Sequence, residues 1–234
     1  MSSAEPPPPP PQVAESTARR AVVVVGVSHS PGLGYAIAKR FCEGGLAVGI
    51  IGRQSARLEE CKTQILEAVP GAAVTAVTAD ATEADDVKRA FSELEAKQGP
   101  ADCLIYNMSS RPFPPTAVEE LSSERLLADM KTGPFAALLC VQAVLPAMSA
   151  AGRGAIIFSG ASASLRGTAR FGSFSCAKTS LRALAQSLAK EVGPSGVHIA
   201  HVIVDVSGLS FAESNACRLA PGHPGVKPDA NPSA

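Results

Sequence analysis

Short apolar runs alternate with longer segments of helical periodicity along most of the chain. The runs 22–25 and 155–158 are apolar on both faces, which is typical of strands in a parallel sheet that helices cover on both sides. The predicted strands are 21–27, 46–51, 73–79, 102–106, 154–159 and 197–204. The predicted helices are 33–43, 56–68, 83–97, 118–150 with a break near Gly133, and 171–192. We therefore predict an α/β fold, a three-layer doubly wound parallel sheet (Rossmann fold) with six strands.

Both ends of the chain depart from this alternation. The prolines at 6–11 cannot enter a helix or a central strand, so residues 1–20 are predicted to form a disordered, proline-rich tail. Residues 210–234 contain prolines and glycines at short intervals and are predicted to be irregular. Residues 21–209 are therefore predicted to form a single nucleotide-binding domain. With 46% hydrophobic residues, a chain of 234 residues is long enough for one sizeable core.

Composition excludes several classes of function. Lys plus Arg and Asp plus Glu number 21 each, and aromatic residues make up only 4%, so no basic surface or stacking platform for nucleic acid is expected. The 6 cysteines show no C-x-x-C spacing, which predicts a reducing compartment and no metal site. We expect no secretory signal and no membrane-spanning run, so the predicted location is cytoplasmic, without a membrane partner.

A glycine-rich turn gives the strongest functional signal. It follows a buried strand and opens a predicted helix, which is the context that dinucleotide binding requires. Gly26 permits a tight turn, Gly32 lets backbone N–H groups approach a pyrophosphate, and Gly34 lets helix and strand pack closely. The partial positive charge of the helix N-terminus adds to the attraction for phosphate. The predicted phosphate-binding residues are Gly26, Ser28, Ser30, Gly32, Leu33 and Gly34.

The end of the second predicted strand bears on the choice of cofactor. An acidic residue there would bond the adenosine ribose hydroxyls and repel a 2′-phosphate, but this chain has Arg53. A planar, permanently charged guanidinium suits a phosphate group, so NADP (NADPH) is favoured over NAD. The alternative is a solvated arginine that begins a helix.

Together these motifs resemble the short-chain dehydrogenase/reductase family over roughly residues 21–208. The resemblance is carried by Gly32-Leu33-Gly34, by Asp80-Ala81 after the third strand, by Asn107 after the fourth, by the serine-bearing strand 154–159, and by Lys178. It implies that Asp80 and Ala81 contact adenine, that Asn107 borders the cofactor, and that Lys178 binds the nicotinamide ribose. By itself, Asp80 also suits the N-terminus of the helix that follows.

The catalytic positions depart from the family pattern. The family's tyrosine, four residues before the lysine, corresponds to Phe174, and its serine falls at Ala161, with Ser162 beside it. Its helix asparagine falls near Met130. One atypical group of the family carries Phe at the tyrosine position and a stretch like residues 160–167, and the chain resembles that group. The catalytic candidates are Lys178 and Ser162, with Ser175 and Tyr106 as other candidate proton donors.

Two functions stay open at this level. The first is an NAD(P)-dependent oxidoreductase that performs NADPH-linked carbonyl reduction or alcohol oxidation on a small molecule. The second is a catalytically impaired member that binds cofactor or serves as a scaffold, which Phe174 and Ala161 favour. The pattern shows no run that corresponds to the family's seventh strand, so we expect a C-terminus that is shorter than in the family. The family's assembly through its long helices, here 118–150 and 171–192, implies a homodimer.

Overall fold

The computed structural model describes residues 20–109 and 115–204. Its strands are β1 (Ala21–Val25), β2 (Ala47–Gly52), β3 (Ala73–Thr78), β4 (Ala101–Tyr106), β5 (Gly154–Ala161) and β6 (Val197–Val204). Its α-helices are α1 (Leu33–Glu43), α2 (Ser55–Ala68), α3 (Ala84–Gln98), α4 (Ser123–Met130), α5 (Ala136–Ala151) and α6 (Gly172–Val192). The strands form one parallel sheet in the order β3-β2-β1-β4-β5-β6. The predicted six-stranded doubly wound sheet is confirmed.

Two apolar layers hold the helices against the sheet. On one face, α1 and α2 pack through a cluster that includes Ala38, Leu58 and Ile65. On the other face, α3, α5 and α6 pack through a larger cluster that includes Leu94 and Leu181. Because both faces are covered, the strands can be apolar on both sides, which explains the continuous runs of Val and Ile in the sequence.

The predicted long helix 118–150 is interrupted where the sequence indicates. A π turn, Lys131–Phe135, separates α4 from α5, and it contains Pro134 and the non-helical backbone of Gly133. A side chain at Gly133 would meet the Cβ of Ala177 at 3.1 Å, so the glycine permits the close approach of α6. The break therefore positions α4 and α6 side by side.

The expectation that no segment is long and apolar enough to cross a membrane is wrong for this helix. By length and composition alone, the 29 residues Ser123–Ala151 could cross a membrane, with a hydropathy of 1.7. Core helices of soluble proteins pass the same test, and the inner face of α5, including Cys140, Val141 and Val144, is buried in the sheet-facing cluster. The inner face of α5 thus packs within the fold, while 33% of the most apolar stretch of Ser123–Ala151 is buried.

Two strand ends differ from the predictions by two residues, and the other strand ends agree to within one residue. β1 ends at Val25 instead of residue 27, because Gly26 has a φ of +96° and turns the chain out of the sheet. β5 continues to Ala161, two residues beyond its predicted end, because its pairing with β6 extends that far. The segments 1–20 and 210–234, predicted to be disordered and irregular, lie outside the described residues apart from Arg20.

Candidate functional site

A cavity of about 600 Å³ opens at the carboxyl edge of the sheet. Its walls come from the turn between β1 and α1, the ends of β2, β3 and β4, and one side of α4. The sheet order places β1 between β2 and β4, where the direction of chain winding reverses, and open α/β sheets bind ligands at such points. The predicted site residues that line it are Gly26, Ser28, Gly32, Leu33, Gly34, Arg53, Ala81 and Asn107. Ser30, Asp80, Lys178 and Ser162 are not among the lining residues.

The glycine turn is held against the end of β4. Gly26 packs so closely that a Cβ on it would lie 2.8 Å from the backbone of Asn107. The Asn107 side chain donates from Nδ2 to the Gly26 carbonyl at 3.2 Å, and its backbone N–H donates to Val25 at 2.8 Å. A Cβ on Gly34 would collide with the Gly26 carbonyl at 2.7 Å. Asn107 therefore braces the turn as well as lining the cavity.

Helix α1 begins at the cavity without a side-chain cap. Gly32 is its N-cap residue and offers no side chain, and the first turn carries no acidic residue. The first N–H groups of a helix have no partner within the helix, and they carry its partial positive charge. The start of α1 is consequently suited to an anion in the cavity.

Two arginines lie where β2 leads into α2. Arg53, predicted from the sequence, and Arg57, one helical turn later, both line the cavity and are exposed. The Arg53 guanidinium lies 3.9 Å from the carboxylate of Asp80, with 70% of the Arg53 side chain exposed, so this ion pair is weak. Sequence inspection selects only Arg53 and misses Arg57, which lies in the first turn of the helix that follows.

Asp80 is occupied by its own turn. Its Oδ1 accepts hydrogen bonds from the backbone N–H of Thr82 at 2.9 Å and from the Thr82 hydroxyl at 2.8 Å. Its backbone N–H donates to Asp86 at 3.0 Å. The side chain therefore shapes the loop before α3 and does not cap that helix directly.

Lys178 lies behind the cavity wall. Its side chain is buried, and Nζ donates to the carbonyl of Ser159 at 2.9 Å and to that of Met108 at 3.3 Å, which joins the end of β5 to the segment after β4. The Phe174 ring centroid lies 5.9 Å from Nζ, within cation–π range. Burial lowers the pKa of Lys178 to about 8. Met108 lines the cavity, so Lys178 contacts a residue of the cavity wall but does not line the cavity itself.

A family model for short chain dehydrogenases matches residues 20–207. The chain belongs to the short-chain dehydrogenase family. The prediction that the chain is an oxidoreductase of the short-chain dehydrogenase/reductase type is confirmed at the level of the family.

Solved structures and curated relatives agree with this assignment. A short-chain dehydrogenase from Rhodopseudomonas palustris has a TM-score of 0.73 and 31% identity, covering 81% of this chain and 86% of that chain. A metagenomic short-chain oxidoreductase in complex with NADP has a TM-score of 0.72 and 25% identity, covering 82% and 83%. Oxidoreductase asL5 from Sarocladium schorii is 29% identical over 168 residues, which are 72% of this chain and 65% of asL5. This chain spans 48% to 78% of the length of the first curated relatives that it matches.

In this short-chain dehydrogenase, the candidate proton donor Tyr106 is part of the core. Tyr106 is fully buried, and its hydroxyl donates to the carbonyl of Thr132 at 2.5 Å, an acceptor that the π turn leaves available. Burial raises the pKa of Tyr106 well above 10, and nearby Cys140 and Asp80 add to the shift. Tyr106 is therefore a structural residue and a poor proton donor at neutral pH.

The candidate serines lie away from the cavity wall. Ser162 begins the short 3-10 helix Ser162–Ser164 directly after Ala161. The hydroxyl of Ser175, one residue after Phe174, is buried and has no hydrogen-bond partner among the residues that the structure describes. A hydroxyl needs strong assistance to act as an acid, and nothing bonded to the Ser175 hydroxyl supplies it.

Sequence patterns miss a charged pair on the α4 wall. Asp129 is buried, Arg125 is half-buried, and both line the cavity, as does Thr132 at the π turn. The Arg125 Nε lies 3.2 Å from each carboxylate oxygen of Asp129. The available signal is an Arg and an Asp four residues apart in one short helix.

The buried lysine predicts an unusual pH dependence of stability. An unfolded lysine titrates near 10.5, whereas the folded pKa is about 8. Between these values the unfolded lysine binds more protons than the folded one, so the contribution of Lys178 to the free energy of unfolding rises with pH by about 3 kcal/mol in total. Lys178→Met should abolish this contribution, because methionine does not titrate. Urea unfolding at pH 7.5 and pH 10 measures the difference between wild type and variant at each pH.

The exposed Lys190, near the end of the same helix, supplies the control. Lys190→Met should keep the wild-type dependence on pH. If the free energy of unfolding changes by the same amount in Lys178→Met and in wild type between pH 7.5 and pH 10, the pKa of Lys178 is not lowered in the folded protein.

Proposed function

We propose that this chain is an NADP(H)-dependent oxidoreductase that reduces a small-molecule carbonyl or oxidises the corresponding alcohol. The observation that carries the proposal is the convergence, on one cavity, of the uncapped start of α1 with Arg53 and Arg57. A helix N-terminus suits a pyrophosphate, and two guanidinium groups suit an additional phosphate on the adenosine ribose. The cavity volume of about 600 Å³ falls within the range of small-molecule sites.

The residues of the chain supply positioning for this chemistry. NADPH supplies a hydride to the carbonyl carbon when it is bound. The turn at Gly26, braced by Asn107, aims backbone N–H groups at phosphate, and Gly34 lets α1 start close to the sheet. Two of the three N–H groups of Lys178 donate to the backbone carbonyls of Ser159 and Met108, and Met108 lines the cavity, so Lys178 holds this part of the cavity wall in place.

A second candidate function rests on a specific departure. Phe174 and Ala161 stand at the positions of the family's tyrosine and serine, and Tyr106 is engaged with Thr132. A chain without a proton donor keeps cofactor binding and loses about 10²–10⁴ in rate. The alternative is therefore a catalytically impaired cofactor-binding or scaffold member, of the atypical group that carries Phe at this position and a shortened C-terminus.

The relatives support a cofactor of this type. The metagenomic oxidoreductase that is 25% identical was solved with NADP. A subunit named BbsC from Thauera aromatica, which is 29% identical over 201 residues, is part of a succinyl-CoA derivative dehydrogenase. The first name describes an oxidoreductase with NADP, and the second a dehydrogenase of a small-molecule succinyl-CoA derivative, which supports the proposed redox chemistry.

Titration with NADPH and NADH tests the proposal directly. We expect NADPH to bind more tightly than NADH, because only NADPH carries the phosphate that Arg53 and Arg57 can bind. Arg53→Asp should lower the ratio of the two affinities by about tenfold or more, since it replaces an attractive charge with a repulsive one. Calorimetry of both nucleotides on wild type and variant gives the two ratios.

Arg40 supplies the matched control for Arg53. It is exposed on α1, where it pairs with Glu43, and it does not line the cavity. Arg40→Asp should leave the ratio unchanged. Failure of both nucleotides to bind below millimolar concentration would overturn the proposed function, whereas binding with an unchanged ratio in Arg53→Asp would remove only the NADP preference.

Assembly and location remain predictions. A homodimer is supported by exposed apolar side chains along α4 and α5, including Leu127, Phe135 and Leu138. A sedimentation mass of one chain would contradict it. We also propose a cytoplasmic location, supported by the absence of disulfides among the described cysteines 42, 61, 103, 140 and 176.

A further inference from the structure

A half-buried histidine on β6 lies against the end of β5. His201 pairs with Phe158, and its ring covers the next residue of β5 on the same face, Gly160. A Cβ on Gly160 would lie 2.5 Å from Nε2 of the ring, so glycine is required there to make room for His201. The proposed chemistry leaves this histidine unused, although a histidine side chain can change its charge near neutral pH.

Ser164 connects this ring to the turn that follows β5. The Ser164 hydroxyl oxygen accepts a hydrogen bond from the backbone N–H of Ala161 at 3.1 Å. It also lies 3.5 Å from Nε2 of His201, at the long end of the range for a hydrogen bond. Ser164 is 1% exposed, so its hydroxyl proton needs an acceptor within the protein. In the described part of the chain Nε2 is that acceptor, which requires a neutral ring with its proton on Nδ1.

The segment 159–164, which includes this turn, adjoins the candidate site. It lies at the carboxyl edge of the sheet, where open α/β sheets bind their ligands. Lys178 donates to the carbonyl of its first residue and to that of Met108 on the cavity wall, so the segment and the wall are joined. Ser162, a candidate catalytic residue, lies within it. The conformation of the segment is therefore held from α6 by Lys178 and from β6 by His201.

The surroundings of His201 oppose a positive charge on its ring. Burial lowers the pKa of His201 below its ordinary value of 6.5, and the charges of Lys178 and Arg182 lower it further, against a smaller opposing effect of its own backbone. Both of these charged residues belong to α6. The other described elements that pack against β6, which are β5 and the short 3-10 helices Ser162–Ser164 and Gly193–Ser195, contain no titratable residue. His201 is therefore neutral at pH 7.

We propose that neutral His201 is a positioning residue for carbonyl reduction: by accepting from the Ser164 hydroxyl it holds segment 159–164 in the conformation that the reaction requires, and its protonation releases that segment. The inference rests on the proposed function and adds a pH-dependent control to it. A protonated ring carries an N–H group on both nitrogens and cannot accept, so the buried Ser164 hydroxyl would lose its acceptor. Binding of NADPH should not change, because the phosphate-facing residues lie on the β1–α1 turn and at the end of β2.

The pH dependence of kcat, measured with saturating NADPH and the fastest substrate of a carbonyl panel, tests the proposal. In wild type, kcat should fall below a midpoint that lies under pH 6.5, by up to about tenfold per pH unit. His201→Gln supplies a carbonyl that accepts at every pH, so the acid fall should vanish while kcat at pH 7 stays within about threefold of wild type. His201→Leu has no acceptor and should lose about tenfold at both pH 5 and pH 7 relative to His201→Gln. NADPH affinity should be the same in all three proteins.

A second measurement does not depend on turnover. In isotopically labelled protein, the NMR shift of the Ala161 amide should follow the titration of the His201 ring, because Ser164 bonds both groups. The shift should not titrate in His201→Gln. The exposed His198 on the same strand supplies the matched control, so His198→Gln should keep both the acid fall of kcat and the titration of the Ala161 amide.

The outcomes separate this inference from the proposed function. If the acid fall of kcat persists in His201→Gln, another group causes it, and the inference is wrong although the proposed function stands. An Ala161 amide that does not titrate in wild type also overturns the inference, and this measurement does not require any variant to fold. If NADPH binds but no carbonyl compound is reduced, the role of His201 in the reaction is wrong and the impaired-member alternative is supported. If NADPH does not bind, the proposed function fails, and the Ala161 amide alone decides whether His201 holds the turn.

Discussion

Phe174→Tyr combined with Ala161→Ser is expected to raise kcat for carbonyl reduction by about 10²–10⁴, the usual contribution of a general acid. The Phe174 ring centroid lies 5.9 Å from the Lys178 ammonium, so a hydroxyl on that ring would stand near a positive charge. A nearby positive charge lowers the pKa of a phenol and improves it as a proton donor at neutral pH. Steady-state rates on a panel of carbonyl compounds with saturating NADPH measure the gain.

Phe171→Tyr provides the matched control, because it adds the same hydroxyl three residues earlier, at the start of α6. Its kcat should stay at the wild-type value. NADPH affinity should be similar in all variants, since neither Phe174 nor Phe171 lines the cavity. If the double variant binds NADPH normally but gains no rate, the ring at position 174 does not border the substrate, and the impaired-member alternative gains no support from Phe174.

The fold and the phosphate-facing half of the site can be predicted from the sequence because their signals are local. A run such as 22–25 followed by glycines and then by a helical period specifies a strand, a turn and a helix within about 25 residues. Arg53 follows from its place directly after a strand. These inferences need only that parallel strands end at one edge of the sheet, which the order β3-β2-β1-β4-β5-β6 satisfies.

The other half of the site depends on tertiary contacts that no local pattern encodes. The carbonyl of Thr132 accepts from Tyr106, which lies 26 residues earlier, because a π turn replaces the regular helix there. The inward position of Asp129 depends on how α4 meets the loop before α3. Asp80 illustrates the converse, since its position in the sequence suits a ligand contact while its Oδ1 accepts hydrogen bonds from Thr82.

Binding and chemistry are separable in this fold. The cavity is lined by the β1–α1 turn, by the segment from the end of β2 into α2 and by α4, and Phe174 is not among the lining residues. Lys178 joins the ends of β5 and β4 through backbone carbonyls, so it also has a structural role that a chain without the family's tyrosine still needs. A lineage could therefore lose the proton donor while it keeps the cavity intact.

The β1–α1 turn is the feature whose disruption should cost most stability. Gly26→Ala is expected to lower the free energy of unfolding by about 3 kcal/mol or more, from the positive φ together with an overlap that no side-chain rotation can relieve. The φ of Gly26 is +96°, and the atoms nearest the added Cβ are the backbone of Asn107 at 2.8 Å and of Met108 at 2.9 Å. Relief would require β4 to move away from the turn. NADPH affinity should fall by about tenfold or more, because the N–H groups aimed at phosphate would move as well.

Gly45→Ala isolates the contribution of the close contact. Gly45 also has a positive φ, +78°, but a Cβ there would meet nothing within 4 Å. This variant should therefore lose only about 1 kcal/mol, which is the backbone strain partly offset by a less flexible unfolded chain, and it should bind NADPH normally. Urea unfolding of both variants gives the difference. Equal losses would mean that positive φ alone explains the glycine at 26, and that the turn is not pressed against β4 as described.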